Sequence, residues 1–238
     1  SSYSGNTEET LDATREALRR GAPVVGLASG GGLAEMAAQA GFPTFTIRYR
    51  SSPRAALAHS FVPLLYFLQH LGVLPNQHSA LESAVATLQA MSDAIGAQVP
   101  TKSNPAKRLA YELHGRLAVV YGVGFLAPVA HRWKTQINEN AKAWAFYEAL
   151  PEMNHNAILG YEQPDQLASG SFVVLLRSPS DVARNRVRAD VTAEVLDRAG
   201  VGYQVVEAQG PTKLAQMLSA VHLGDYVSLY LAVIYGID

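Results

Sequence analysis

From Thr7 to Arg20 the chain alternates apolar and polar positions at helical spacing. Leu11 and Leu18 fall on one face, and Gly21 stands where a helix would stop. Asn6 and Glu9 have the spacing of a capping box. An apolar run from Pro23 to Ala28, the turn Ser29-Gly30-Gly31-Gly32, a short helical stretch from Leu33 to Ala40 and a β-rich run from Phe42 to Arg48 read as strand, helix, strand. Two longer helical segments follow, about Arg54 to Leu71 and Ser79 to Ile95, and a polar, proline-containing connector runs from Gln98 to Pro105.

Beyond that connector the pattern predicts a helix from Ala106 to His114, a strand from Leu117 to Tyr121 and a helix from about Pro128 to Ala141. After a long loop come a strand from Ser171 to Leu176, a helix from Asp181 to Ala199, a strand from Tyr203 to Glu207 and a helix from Pro211 to Tyr235. Strands alternating with helices of this length predict the α/β class, with a mainly parallel sheet covered on both faces. Placing the boundary in the connector gives two domains, 1–98 and 99–238. The first is expected to be incomplete, because the chain opens on a Ser/Gly turn with no strand before it.

Composition narrows the partners. With 48% hydrophobic residues the chain has material for a proper core, and 19 Lys plus Arg against 20 Asp plus Glu leave no field that would attract nucleic acid or a membrane surface. There is no Cys, which rules out disulfides, thiolate metal sites and a Cys nucleophile, and makes a cytoplasmic setting the default expectation. Apolar stretches such as Leu229 to Tyr235 are too short to span a bilayer. The histidines show neither HExxH nor HxxEH spacing, so no metal is expected. The basic run Arg184 to Arg188 is balanced by Asp181, Asp190 and Glu194 and reads as a solvated helix face.

Candidate chemistry is concentrated in three strings. Ser1 to Thr7 places hydroxyls and a Gly immediately before a helix amino terminus, where free N–H groups and the helix dipole suit a phosphate dianion; by composition alone it is equally an ordinary Ser-rich cap. Glu139, between Asn138 and Asn140 in a mixed helix, and His155, in a Pro- and Asn-rich loop sixteen positions later, would each pass as a solvated side chain. Arg54 follows Pro53 where a strand should hand over to a helix, with Arg48 and Arg50 as nearby competitors.

The exact strings change that balance. Ser2-Tyr3-Ser4-Gly5-Asn6-Thr7-Glu8-Glu9-Thr10 closely resembles the phosphate loop of sugar isomerase (SIS) domains. Trp133 to Lys142 (WKTQINENAK), EALPEMNHN around His155 and Leu223 to Ala232 (LGDYVSLYLA) resemble stretches of the tandem-SIS phosphoglucose/phosphomannose isomerase family. The resemblance implies two SIS-type three-layer subdomains and a hexose 6-phosphate substrate. It implies an aldose–ketose isomerisation through a cis-enediol(ate), without cofactor, that takes both glucose and mannose phosphates. It assigns Ser2, Ser4 and Thr7 to the phosphate, Glu139 to the base, Arg54 to charge stabilisation, and His155 to ring opening across a homodimer interface.

The family carries a further Gly-rich portion before this stretch and a terminal helix with an active-site Lys after it, and neither is in this sequence. The competing expectations are a sugar-phosphate-sensing SIS module, which needs no base beside the sugar carbons, and aminosugar-phosphate synthesis on the same fold, which needs an ammonia source.

Overall fold

The structure, a computed structural model, describes residues 1–237. It divides into two compact units, Ser1–Gln77 and a larger one from His78 onward. The first contains α1 (Glu8–Arg19), β1 (Gly26–Ala28), α2 (Gly31–Ala40), β2 (Thr44–Thr46), a 3-10 turn (Pro53–Ala55) and α3 (Leu57–His70). β1 and β2 are parallel, with Gly26 opposite Thr44. The other edge of β1 is taken by the start of the chain: Ser2 N–H donates to Leu27 O at 3.0 Å and Ser29 N–H to Tyr3 O at 2.7 Å.

In the second unit the elements are α4 (His78–Ile95), α5 (Pro105–Leu113), β3 (Leu117–Val123), α6 (Ala127–Ala141), β4 (Ala145–Leu150), α7 (Asp165–Gly170), β5 (Ser171–Arg177), α8 (Ala183–Arg198), β6 (Gly202–Glu207) and α9 (Lys213–Tyr235). The strands form one parallel sheet in the order β4-β3-β5-β6. β5 explains the unbroken apolar run in its sequence. Phe172, Val174 and Leu176 face a core built with α4, α5, α6 and α9, whereas Val173 and Leu175 face a second core that includes Ala189 and Leu196 of α8. A strand covered on both faces has no polar side to alternate with.

Two expectations change. β4 lies in a stretch that the sequence reads as loop; as an edge strand it pairs with β3 alone, and Phe146 and Tyr147 remain exposed, so it lacks the buried apolar run of its neighbours. Asn6 and Glu9 form no capping box. Thr7 is the N-cap of α1, without a side-chain capping bond, and the Asn6 carboxamide oxygen accepts instead from Gly32 N–H at 2.9 Å. Separately, α4 packs against α5 and α9, and the larger compact unit starts at His78.

α9 is long and apolar enough to cross a membrane by length and composition, a property the short apolar runs conceal. Its contacts are those of a core helix: it packs on α4, α5 and α6, and carries buried Gln216, Ser219 and Ser228.

Candidate active site

The Ser1 to Thr7 loop is fixed mostly by backbone. Gly5 adopts φ +73°, and a Cβ there would lie 1.8 Å from the Gly30 carbonyl oxygen, so loop and turn approach as closely as glycine permits. Leu33 N–H donates to Gly5 O at 2.9 Å, and Ser29 Oγ donates to Tyr3 O at 2.6 Å. This clamp brings Ser2 Oγ within 2.7 Å of Thr7 Oγ1, and Asn6 N–H donates to Ser4 Oγ at 3.2 Å. Three hydroxyls are thus gathered at the amino end of α1. Ser2 is buried, while Ser4 and Thr7 are exposed. Glu8 and Glu9 already occupy the first turn of α1, so an anion held here would depend on directed hydrogen bonds more than on the helix field.

Arg54 sits in the 3-10 turn of the same unit, half-buried, at the end of an arm that leaves the sheet at Ile47. Tyr3, Ser29, Arg48, Tyr49, Arg50 and Ser51 line an open cavity of about 490 Å³ beside that arm.

In the second unit, the string around Glu139 is chiefly a joint between α6 and α9. Trp133 is buried, its Nε1–H donates to Ala220 O at 2.8 Å, and a Cβ on Gly224 would come within 2.4 Å of that nitrogen. Arg132, Gln136 and Asn140, one turn apart, form a polar stripe. Arg132 reaches both carboxylate oxygens of Asp225 at 3.1 Å, Gln136 Nε2 donates to Asp225 Oδ1 at 2.8 Å, and Asn140 Nδ2 donates to Ser228 Oγ at 2.9 Å. Asn138 caps the helix end by donating to Ala143 O. Between Arg132 and Asn140, Glu139 is the one residue left exposed. Asp225 and Ser228, which these bonds make integral to the helix, carry no site signal in the sequence beyond their place in the Leu223 to Ala232 stretch.

His155 is presented by a short 3-10 turn, Glu152–His155, just past the carboxyl end of β4. Met153 is fully buried and Asn154 Nδ2 donates to Thr192 Oγ1 at 3.0 Å, so the residues before His155 anchor the turn while His155 itself stays exposed.

Glu139 and His155 lie at opposite ends of the sheet. Because β3 and β4 are parallel, α6 returns from the carboxyl end of one to the amino end of the other, leaving Glu139, in its last turn, near the start of β4. His155 follows its end. The six residues of β4 put the two about 20 Å apart along the strand direction.

No group of three or more His, Cys, Asp or Glu that could hold a metal occurs among the described residues. Asp181, buried at the start of α8, has its carboxyl pushed above the usual carboxylate range by burial; its partner is the Ser178 N–H.

Residues 102–238 match the family model of the bacterial phospho-glucose isomerase C-terminal SIS domain. The bifunctional phosphoglucose/phosphomannose isomerase of Caldicellulosiruptor bescii is 40% identical over the whole chain, which covers 70% of that protein, and the one from Aquifex aeolicus is 35% identical with the same coverage. The C-terminal domain of glucosamine-fructose-6-phosphate aminotransferase from Francisella tularensis superposes with a TM-score of 0.76 at 13% identity, over all of this chain and 70% of that one, which is a likeness of fold. Parallel α/β sheets, the hydroxyl loop and these matches define a sugar-phosphate isomerase of the SIS class. Within that class, the chain belongs to the bifunctional phosphoglucose/phosphomannose isomerase family.

Proposed function

We propose that the protein interconverts fructose 6-phosphate with glucose 6-phosphate and mannose 6-phosphate, in a cytoplasmic setting and without a cofactor. Ser2, Ser4 and Thr7 hold the phosphate, and that remote binding energy aligns carbon 1 and carbon 2 of the open sugar. His155 moves the proton that opens the ring. The Glu139 carboxylate takes the proton beside the carbonyl and returns it to the neighbouring carbon, while Arg54 faces the charge on the enediolate oxygens.

The observation that carries this reading is Glu139: between Arg132 and Asn140, where Trp133, Gln136 and Asn140 are tied to α9, it is the one exposed residue. A sugar-phosphate sensor would have no use for it. The separation of Glu139 from His155 along β4 supports a shared site, in which one copy of the chain supplies the base and a second copy the imidazole.

The test is isomerisation from fructose 6-phosphate by the whole natural polypeptide, with both products measured separately. Glu139→Gln and His155→Ala are each expected to abolish turnover. Mixing the two inactive variants under exchanging conditions restores activity, to about a quarter of the parental level for random pairing into dimers. Full activity of Glu139→Gln sinks the assignment of the base, and failure of the mixture to recover sinks the shared site.

A further inference from the structure

We propose that the Tyr3 hydroxyl is a positioning group that holds the Arg54-bearing arm in register with the phosphate loop. The inference rests on the roles assigned above to Arg54 and to Ser2, Ser4 and Thr7. Tyr3 belongs to the phosphate loop by sequence, yet its hydroxyl bonds a distant stretch of the chain. It donates to Tyr49 O at 2.6 Å and accepts from Ser51 N–H at 2.8 Å, bonds that bridge 46 and 48 positions of sequence. Both partners lie in the arm that ends at Arg54.

The arm is also fixed at its two ends. Ile47 is buried and its N–H donates to Ala28 O at 2.8 Å; Ala56 is buried after the 3-10 turn. No residue from Arg48 to Ala55 is buried. The Tyr49 ring stacks on His59 at 4.3 Å between centroids, but the side facing the loop borders the 490 Å³ cavity rather than packed side chains. Between those ends, the middle of the arm takes its position from the two bonds to the Tyr3 hydroxyl and from the Tyr49–His59 stack.

The phosphate loop, in contrast, does not depend on the phenol. Its bonds to the neighbouring turn run through Tyr3 O, Gly5 O and the Asn6 carboxamide, none of which involves the Tyr3 hydroxyl. Removing that one oxygen therefore separates the two functions: the anchor for the phosphate stays, and the placement of the cation relaxes.

Tyr3→Phe in the whole natural polypeptide tests this. The kcat from fructose 6-phosphate is expected to fall about tenfold to a hundredfold, while KM and the inhibition constant of inorganic phosphate change by less than about twofold. In an Arg54→Ala background the same substitution is expected to cost nothing further, because the arm then carries no cation to misplace. An unchanged kcat, a parallel loss of phosphate affinity, or an equal loss with and without Arg54 overturns the proposal. Arg54→Ala at full activity, or an unsubstituted protein without isomerase activity, removes the underlying assignment instead, and the two failures are told apart.

Discussion

At the residue scale, the strings that stand out in the sequence divide into groups that build and groups that are left over. Trp133, Gln136 and Asn140 are occupied with α9, and Met153 and Asn154 with the core side of the β4–β5 connection. Glu139 and His155 are exposed neighbours of those anchors. Gly224 belongs to the building group. Replacing a helical Gly with Ala gains roughly 1 kcal/mol of propensity, but here the new methyl would meet the buried indole of Trp133 at 2.4–2.6 Å. Overpacking of this kind costs about 3 kcal/mol or more where the neighbour cannot retreat. Gly224→Ala is expected to lower stability by about 2 kcal/mol net, read as a lower urea midpoint with an unchanged slope.

At the element scale, α9 collects the polar links of the second unit. His222 on α9 bonds Ser92 of α4 at 2.9 Å, and Tyr230 donates to Ile95 O at 2.6 Å. Burial holds the His222 imidazole below its ordinary value of 6.5, partly offset by Asp225. A group depressed on folding stays neutral in the native state while the unfolded chain takes up a proton. Its contribution is present above pH 6.5 and is lost as pH falls through the folded value. The α4–α9 contact is therefore expected to weaken on acidification from pH 7 to 5, with loss of thermal stability that His222→Gln makes shallower. Equal slopes for parent and variant would show that other groups govern the pH dependence.

At the scale of the whole molecule, the compact boundary and the match to the family model differ: the larger unit begins at His78, the match at residue 102. α4 accounts for the difference. Ala84, Met91 and Ile95 are buried on it, and the loss of Met91 and Ile95 alone would forfeit roughly 3–6 kcal/mol of apolar burial, a large part of a domain's net stability. A fragment from His78 is expected to unfold cooperatively in urea. One from residue 99 is expected to unfold at much lower urea or to expose apolar surface that binds a hydrophobic dye. Equal midpoints would show that α4 is dispensable.

By itself the sequence determined what local periodicity and exact strings can carry. Helices α1, α6, α8 and α9 and strands β3, β5 and β6 are legible because their apolar positions repeat at 3.6 residues or form runs buried on two faces. The loop, Arg54, Glu139 and His155 are singled out as candidates by resemblance alone, since each by itself is an unremarkable polar residue. Only tertiary structure decided β4, whose exposed edge gives no apolar run, and the partner of Asn6, which is 26 residues away in the chain. It also decided that Glu139 and His155 stand at opposite ends of one sheet, and that the Tyr3 hydroxyl ties the loop to the arm of Arg54. These are long-range pairings, set by the topology that brings distant segments together, and no pattern within a window of ten or twenty residues contains them.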